Sequence, residues 1–95
     1  MSLALCVMLW AREGAEQALI EYEDRVLELV GAHGGKILQR ARTGGGPEEP
    51  LEVQFLEFPS GAALDSYMWD GRRTVLAADR ERAVARTEIF QVQLV

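Results

Sequence analysis

Residues 51–69 constrain the fold most, because they encode a buried strand that passes directly into a helix. Apolar residues, including two phenylalanines, predominate from Leu51 to Phe58, as they do in buried strands. Pro59 ends the strand because it cannot donate a hydrogen bond to a sheet, and Ser60 suits the N-cap of a following helix. The stretch is therefore a βα unit, and the rest of the chain must supply the elements that pair with it.

The N-terminal segment, residues 3–10, is apolar on both faces of a predicted strand. Alternation places Leu3, Leu5, Val7 and Leu9 on one face and Ala4, Cys6, Met8 and Trp10 on the other. A strand that is apolar on both sides is covered on both sides. Since the helices of one small domain usually cover one face of its sheet, the pattern requires a second covering layer.

Residues 14–33 have the spacing of an amphipathic helix, and Gly34 and Gly35 follow its last turn. The inward stripe comprises Ala15, Leu19, Tyr22, Val26, Leu29, Val30 and His33. Residues 36–42 are predicted to form the second strand. Three consecutive glycines occur in residues 43–50, but the lysine and Ser/Thr of a phosphate-binding loop are missing, so this segment is interpreted as a hairpin loop.

A second helix is predicted over residues 72–82, after a break at Asp70 and Gly71, and a last strand over residues 86–95. The element order is then β-α-β-β-α-β, the ferredoxin-like arrangement of an α+β protein with an antiparallel sheet. With 95 residues, the chain is expected to form a single domain over residues 1–95.

Charge and composition exclude several classes of function. The formal net charge of −5 argues against a nucleic-acid-binding protein, which needs a basic surface. No apolar run reaches the length of a membrane span. Cys6 is the only cysteine and cannot form an internal disulfide, so a cytoplasmic location is expected. One histidine and one cysteine, far apart in sequence, make no recognisable metal-ligand set.

The chain resembles the dimeric α/β-barrel superfamily. The resemblance rests on residues 55–60 before a helix with Ala62 and Ala63, on Tyr67 and Trp69, and on residues 33–36 at the turn into the second strand. It is closest to small bacterial proteins of unknown function related to antibiotic biosynthesis monooxygenases, muconolactone isomerases and YCII-related proteins. The resemblance implies a homodimer in which two sheets pack face to face, which would supply the second covering layer.

His33 is the only candidate acid–base residue whose ordinary pKa lies near neutrality. It belongs to the inward stripe of the first helix, so it is predicted to be a catalytic residue at the mouth of a cavity. The alternative is a structural residue at a helix end, where a positive charge is favoured.

Four aromatic residues and one arginine are candidate ligand-binding residues: Trp10, Tyr22, Tyr67, Trp69 and Arg40. Aromatic side chains with polar tips suit small apolar or aromatic ligands, although the same residues also serve in ordinary packing. A group of arginines near the C-terminus, Arg72, Arg73, Arg80, Arg82 and Arg86, stands among acidic residues. This mixture favours a self-paired surface over an anion site.

Two functional classes remain open. The first is a small-molecule-binding or accessory protein without turnover. The second, which the resemblance also implies, is a monooxygenase or isomerase that needs no cofactor and acts on a small aromatic or polyketide-like compound.

Overall fold

Four strands form one antiparallel sheet in the computed structural model, which describes residues 2–95. The strands are β1 (Leu3–Ala11), β2 (Lys36–Arg42), β3 (Glu52–Phe58) and β4 (Val84–Val92), in the order β2-β3-β1-β4. β1 pairs with both β3 and β4, so the most apolar strand lies inside the sheet. This confirms the predicted α+β, ferredoxin-like fold.

The helices are shorter and more numerous than the sequence pattern predicts. They are α1 (Glu16–Leu27), a 3₁₀ helix (Val30–His33), α2 (Gly61–Met68), α3 (Gly71–Thr74) and α4 (Ala77–Ala83). The predicted helix over residues 14–33 thus ends as an α-helix at Leu27, before the poor helix former Gly31. The predicted helix over residues 72–82 is two short helices instead of one.

The two faces of the sheet differ in their surroundings. The inner face, which carries Leu5, Val7, Leu9, Leu56 and Phe58, is buried together with Leu19, Tyr22 and Val26 of α1. The outer face carries Ala4, Cys6, Met8, Val53 and Phe55, which are all partly exposed. The period-two alternation of β1 and β3 therefore gives an apolar sheet with helices on one side.

Local contacts fix two junctions, the one between β3 and α2 and the one before β2. The Ser60 hydroxyl accepts a hydrogen bond of 3.1 Å from the Ala63 amide, which confirms the predicted N-cap of α2. Gly35 lies so close to the core that a Cβ atom there would come within 2.7 Å of Val30 Cγ1 and 2.8 Å of Phe58 Cε1. The start of β2 can therefore pack against Phe58 only because residue 35 has no side chain.

The segment between β2 and β3 is a hairpin connection, as predicted, because the two strands pair antiparallel. The Thr43 hydroxyl donates to the Pro50 carbonyl at 2.7 Å and accepts from the Gly45 amide at 2.9 Å. Through these two hydrogen bonds, the Thr43 side chain connects backbone groups within the loop.

Within residues 2–95, none of the helices combines the length and the apolar character that crossing a membrane requires.

Candidate functional site

A cavity of about 740 Å³ lies between the inner face of the sheet and the helices α2, α3 and α4. Its apolar wall is made by the strands, through Leu5, Val7, Leu9, Leu56 and Ile89. Polar and charged groups come from the helices, from Gln54 of β3 and from Thr87 of β4. The cavity is thus a mostly apolar space with polar groups at defined positions, which is the usual composition of a small-molecule site.

Three aromatic side chains line the cavity at different depths. Tyr22 and Tyr67 are buried, whereas Trp69 is 80% exposed and lies at the rim. The Tyr67 hydroxyl donates to the Val26 carbonyl at 3.2 Å, and its ring packs against Phe58 with centroids 5.4 Å apart. Burial raises the pKa of both tyrosines, so their hydroxyl groups remain neutral donors at neutral pH.

Two arginines, Arg73 and Arg80, also line the cavity. The Arg73 guanidinium lies 5.1 Å from the centroid of the Tyr67 ring, and its buried Nε atom has no hydrogen-bond partner within residues 2–95. Arg80 Nη2 donates to the Thr87 hydroxyl at 2.9 Å. No carboxylate of the described chain pairs with either guanidinium within 4.0 Å.

Glu23 supplies a buried carboxyl group to the same cavity. Its side chain accepts a hydrogen bond of 2.7 Å from Gln54 Nε2, and the residue is only 5% exposed. Burial raises the pKa of Glu23, and the hydrogen bond from Gln54 only partly opposes this effect. Glu23 is therefore a candidate for holding or transferring a proton inside the cavity.

Behind Glu23 lies a second, neutralised carboxylate. Glu52 is fully buried and accepts hydrogen bonds from Arg40, Arg42 and Gln54 at 2.7–3.0 Å. Burial alone would raise its pKa, but the bonds from the two guanidinium groups and the Gln54 amide outweigh burial and lower it. The pKa values of the two neighbouring carboxyl groups are therefore shifted in opposite directions.

The structure brings together three of the five predicted ligand-binding residues. Tyr22, Tyr67 and Trp69 line the cavity, whereas Trp10 and Arg40 do not. Strand alternation puts Trp10 toward the outer face, where its Nε1 donates to the Glu48 carbonyl at 3.2 Å. Arg40 is occupied by Asp24 and Glu52. Trp10 and Arg40 therefore lie outside this cavity, and a ligand-binding role for either residue stays a prediction.

His33 lies behind the cavity wall rather than on it. Its Nδ1 atom is 2.9 Å from the Ser66 hydroxyl, and its Nε2 atom is 2.7 Å from Asp70 Oδ2. The imidazole meets the edge of the Tyr67 ring, with centroids 6.1 Å apart. These contacts tie the 3₁₀ helix to the end of α2, and a catalytic role for His33 stays a prediction.

Asp70 connects this histidine to the start of α3. Hydrogen bonds from the Arg72 side chain, from His33 and from the Arg72 amide lower the pKa of Asp70. The charged carboxylate thus caps α3 and holds His33 in place at the same time.

Sequence reasoning missed Glu23 and the pair of arginines that face the cavity. Glu23 follows Leu19 by four residues and precedes Leu27 by four, so its position on the buried side of α1 was readable from helical spacing. The prediction of a self-paired basic surface is confirmed for Arg72, Arg82 and Arg86, which pair with nearby carboxylates. It is wrong for Arg73 and Arg80, and sequence spacing alone gave no sign of this difference.

Within residues 2–95, no group of three or more histidine, cysteine, aspartate or glutamate side chains is arranged to hold a metal ion.

The fold and the cavity together define a small ferredoxin-like α+β protein with a cavity between its sheet and its helices. No protein-family model matches the sequence, and no curated protein matches it. Solved structures do match the fold over nearly the whole chain.

Three solved structures illustrate this similarity. A protein of unknown function from Rhodopseudomonas palustris is 18% identical, with a TM-score of 0.80, over 99% of this chain and 82% of that one. A NIPSNAP family protein of unknown function from Agrobacterium tumefaciens is 18% identical, with a TM-score of 0.75, over 96% and 86%. A protein from Bacteroides fragilis, described as dimeric, ferredoxin-like and of unknown function, is 10% identical, with a TM-score of 0.70, over 98% and 96%.

Replacement of Glu23 by Gln tests its protonation. Because the folded pKa of Glu23 is raised from its ordinary value of 4.5, the stability of the wild-type protein falls as pH rises from that value through the folded pKa. Glu23→Gln removes this loss, so its free energy of unfolding should rise relative to that of the wild type as the pH increases above 4.5. Urea unfolding at a series of pH values above 4.5 measures the difference.

The exposed Glu21 of the same helix offers a matched control, since Glu21→Gln should keep the pH dependence of the wild type. Parallel stability curves for Glu23→Gln and the wild type would contradict the assignment.

Proposed function

We propose that this protein binds a small, largely apolar or aromatic molecule in the cavity between the sheet and the helices α2 to α4. The observation that carries the proposal is the cavity itself, with a volume of about 740 Å³ and a wall of strand side chains that is mostly apolar. Ligand sites typically enclose roughly 300–1,000 Å³ and combine such walls with a few polar groups.

The three aromatic residues have distinct roles in this proposal. Tyr22 and Tyr67 offer buried rings to the ligand, and Trp69 covers it from the rim. His33 acts indirectly, by holding the Tyr67 ring and the end of α2 through Ser66 and Asp70.

A second candidate function is a proton-transfer enzyme of the isomerase type, which the buried carboxyl group of Glu23 favours. Such a reaction needs no cofactor: the base removes a proton from carbon next to a carbonyl and returns it to another position. Incubation with 2-tetralone in deuterium oxide distinguishes the candidates. If 2-tetralone takes up deuterium faster with the wild-type protein than with Glu23→Gln, the result supports turnover. Equal uptake with the two proteins supports binding alone.

We also propose that the outer face of the sheet packs against the same face of a second copy, as a homodimer. Cys6, Met8, Val53 and Phe55 give this face an apolar centre, and Phe90 on β4 is 44% exposed. A contiguous apolar surface of this kind is uncommon on a monomer, and a two-fold axis is the commonest way to cover it. The Bacteroides fragilis protein of the same fold is described as dimeric.

The cavity proposal predicts that filling the space abolishes binding. Ile89 lines the cavity from β4 and is 47% exposed, so Ile89→Trp can add volume there without disturbing a tightly packed position. Isothermal titration calorimetry with the neutral probe 2-naphthamide should show at least about tenfold weaker binding to this variant than to the wild type.

Val75 provides the control, because it is 77% exposed and lies outside the cavity. Val75→Trp should bind the probe as the wild type does. Equal binding by Ile89→Trp and the wild type would place the probe elsewhere and reject the proposed site.

The dimer proposal predicts opposite effects for two neighbouring substitutions in β1. Met8→Glu puts a charge on the outer face and should give a folded monomer in sedimentation velocity. Val7→Glu puts the same charge into the inner face, where Val7 is 6% exposed, and should unfold the chain by circular dichroism. A wild-type protein that sediments as a monomer at micromolar concentration would refute the dimer.

A further inference from the structure

The two arginines of the cavity differ from the other arginines near the C-terminus. Arg72, Arg82 and Arg86 each pair with a carboxylate and lie outside the cavity. Arg73 and Arg80 both face the cavity, and neither has a carboxylate partner within the described residues. The unpaired positive charge of this region is therefore concentrated on one side of the cavity.

Contacts within the protein leave Arg73 incompletely satisfied. The Tyr67 ring stabilises the guanidinium charge at 5.1 Å, but a ring face accepts no conventional hydrogen bond from the buried Nε–H group. Buried donors are nearly always hydrogen-bonded, so an orphaned one calls for an explanation. A ligand oxygen that accepts from this guanidinium would supply it.

The acidic groups around the cavity do not neutralise these arginines. Glu23 accepts a hydrogen bond from Gln54 and pairs with neither arginine within 4.0 Å. Glu52 is occupied by Arg40 and Arg42 on the far side of Gln54. Asp65, the other acidic residue of the cavity lining, is exposed. The interior of the cavity therefore favours a negative group beside Arg73.

We propose that the ligand is an aromatic or alicyclic carboxylic acid, whose carboxylate binds Arg73 while its ring lies on the apolar strands. The inference rests on the proposed function and names the ligand class for the same cavity. A planar carboxylate matches the fork of guanidinium donors, and such bidentate pairs are stronger than neutral hydrogen bonds. Arg80, which Thr87 holds by a hydrogen bond, adds a second positive charge to the same wall.

Two probes of nearly equal shape test the charge requirement. 2-Naphthoate carries a carboxylate, and 2-naphthamide replaces it with a neutral amide. Calorimetry on the wild-type protein should show binding of 2-naphthoate about tenfold or more tighter than of 2-naphthamide. Equal affinities would overturn the inference and leave the proposed function standing. Binding of neither probe would overturn both.

Variants of Arg73 assign the preference to one side chain. Arg73→Met keeps the length and removes the charge, so the preference for 2-naphthoate should fall below about threefold while 2-naphthamide still binds. Arg73→Lys should retain part of the preference. Arg82→Met, which removes a 69% exposed side chain outside the cavity, should leave it unchanged.

A spectroscopic readout does not depend on variant stability. Addition of 2-naphthoate should shift the Arg73 Nε–H resonance of the wild-type protein, assigned from its absence in Arg73→Lys, and 2-naphthamide should shift it less. An unmoved resonance at saturating 2-naphthoate would overturn the role of Arg73.

Discussion

Gln54 donates both of its amide hydrogens inside the protein, one to Glu23 on α1 and one to Glu52 on its own strand, each at 2.7 Å. These bonds run through an otherwise apolar layer and join α1, the longest helix of the described residues, to the centre of the sheet. Removal of either acceptor would leave a buried amide unsatisfied, which costs about 1–3 kcal/mol. The position of α1, and hence one side of the cavity, depends on this arrangement.

The same arrangement sets the charge balance of the interior. Arg40 and Arg42 neutralise Glu52, and no arginine pairs with Glu23 within the described residues. Burial raises the pKa of Glu23 and hydrogen bonds lower that of Glu52, so the two carboxyl groups that share one amide differ in their pKa. No carboxylate of the described residues lies within 4.0 Å of the Arg73 guanidinium, so its charge has no counter-ion there.

The cavity exists because the second half of the chain covers the sheet with short helices. α1 has 12 residues and packs closely on the inner face, whereas α2, α3 and α4 have 8, 4 and 7 residues. Short segments joined by turns cannot follow the sheet as closely as one long helix does. Ile89 of β4, which is 47% exposed, consequently lines a space that residues of these short helices also border.

Local sequence signals predicted most of the fold. β2 was predicted with its observed bounds, and the Pro59–Ser60 stop and cap were predicted from backbone chemistry that acts within a few residues. The break at Asp70 and Gly71 was predicted as well, but the further division of residues 72–82 at Val75 and Leu76 was not.

The site was predicted only in part. Helical spacing and aromatic character predicted Tyr22, Tyr67 and Trp69 as candidate ligand-binding residues. A polar residue within an apolar strand pattern, such as Gln54, has several explanations, so its role was not predicted. The two buried hydrogen-bond partners of Gln54 come together only in the tertiary fold. The difference between paired and unpaired arginines likewise depends on three-dimensional neighbours that spacing does not encode.

The most direct test of a ligand site on the inner face is the location of a bound probe. Nuclear Overhauser effects between 2-naphthamide and methyl groups of the ¹³C-labelled protein distinguish the two faces of the sheet. The cavity predicts contacts to Leu5, Leu56 and Ile89, which line it. Contacts confined to Met8 and Val53, which lie on the outer face, would contradict a binding site between the sheet and the helices.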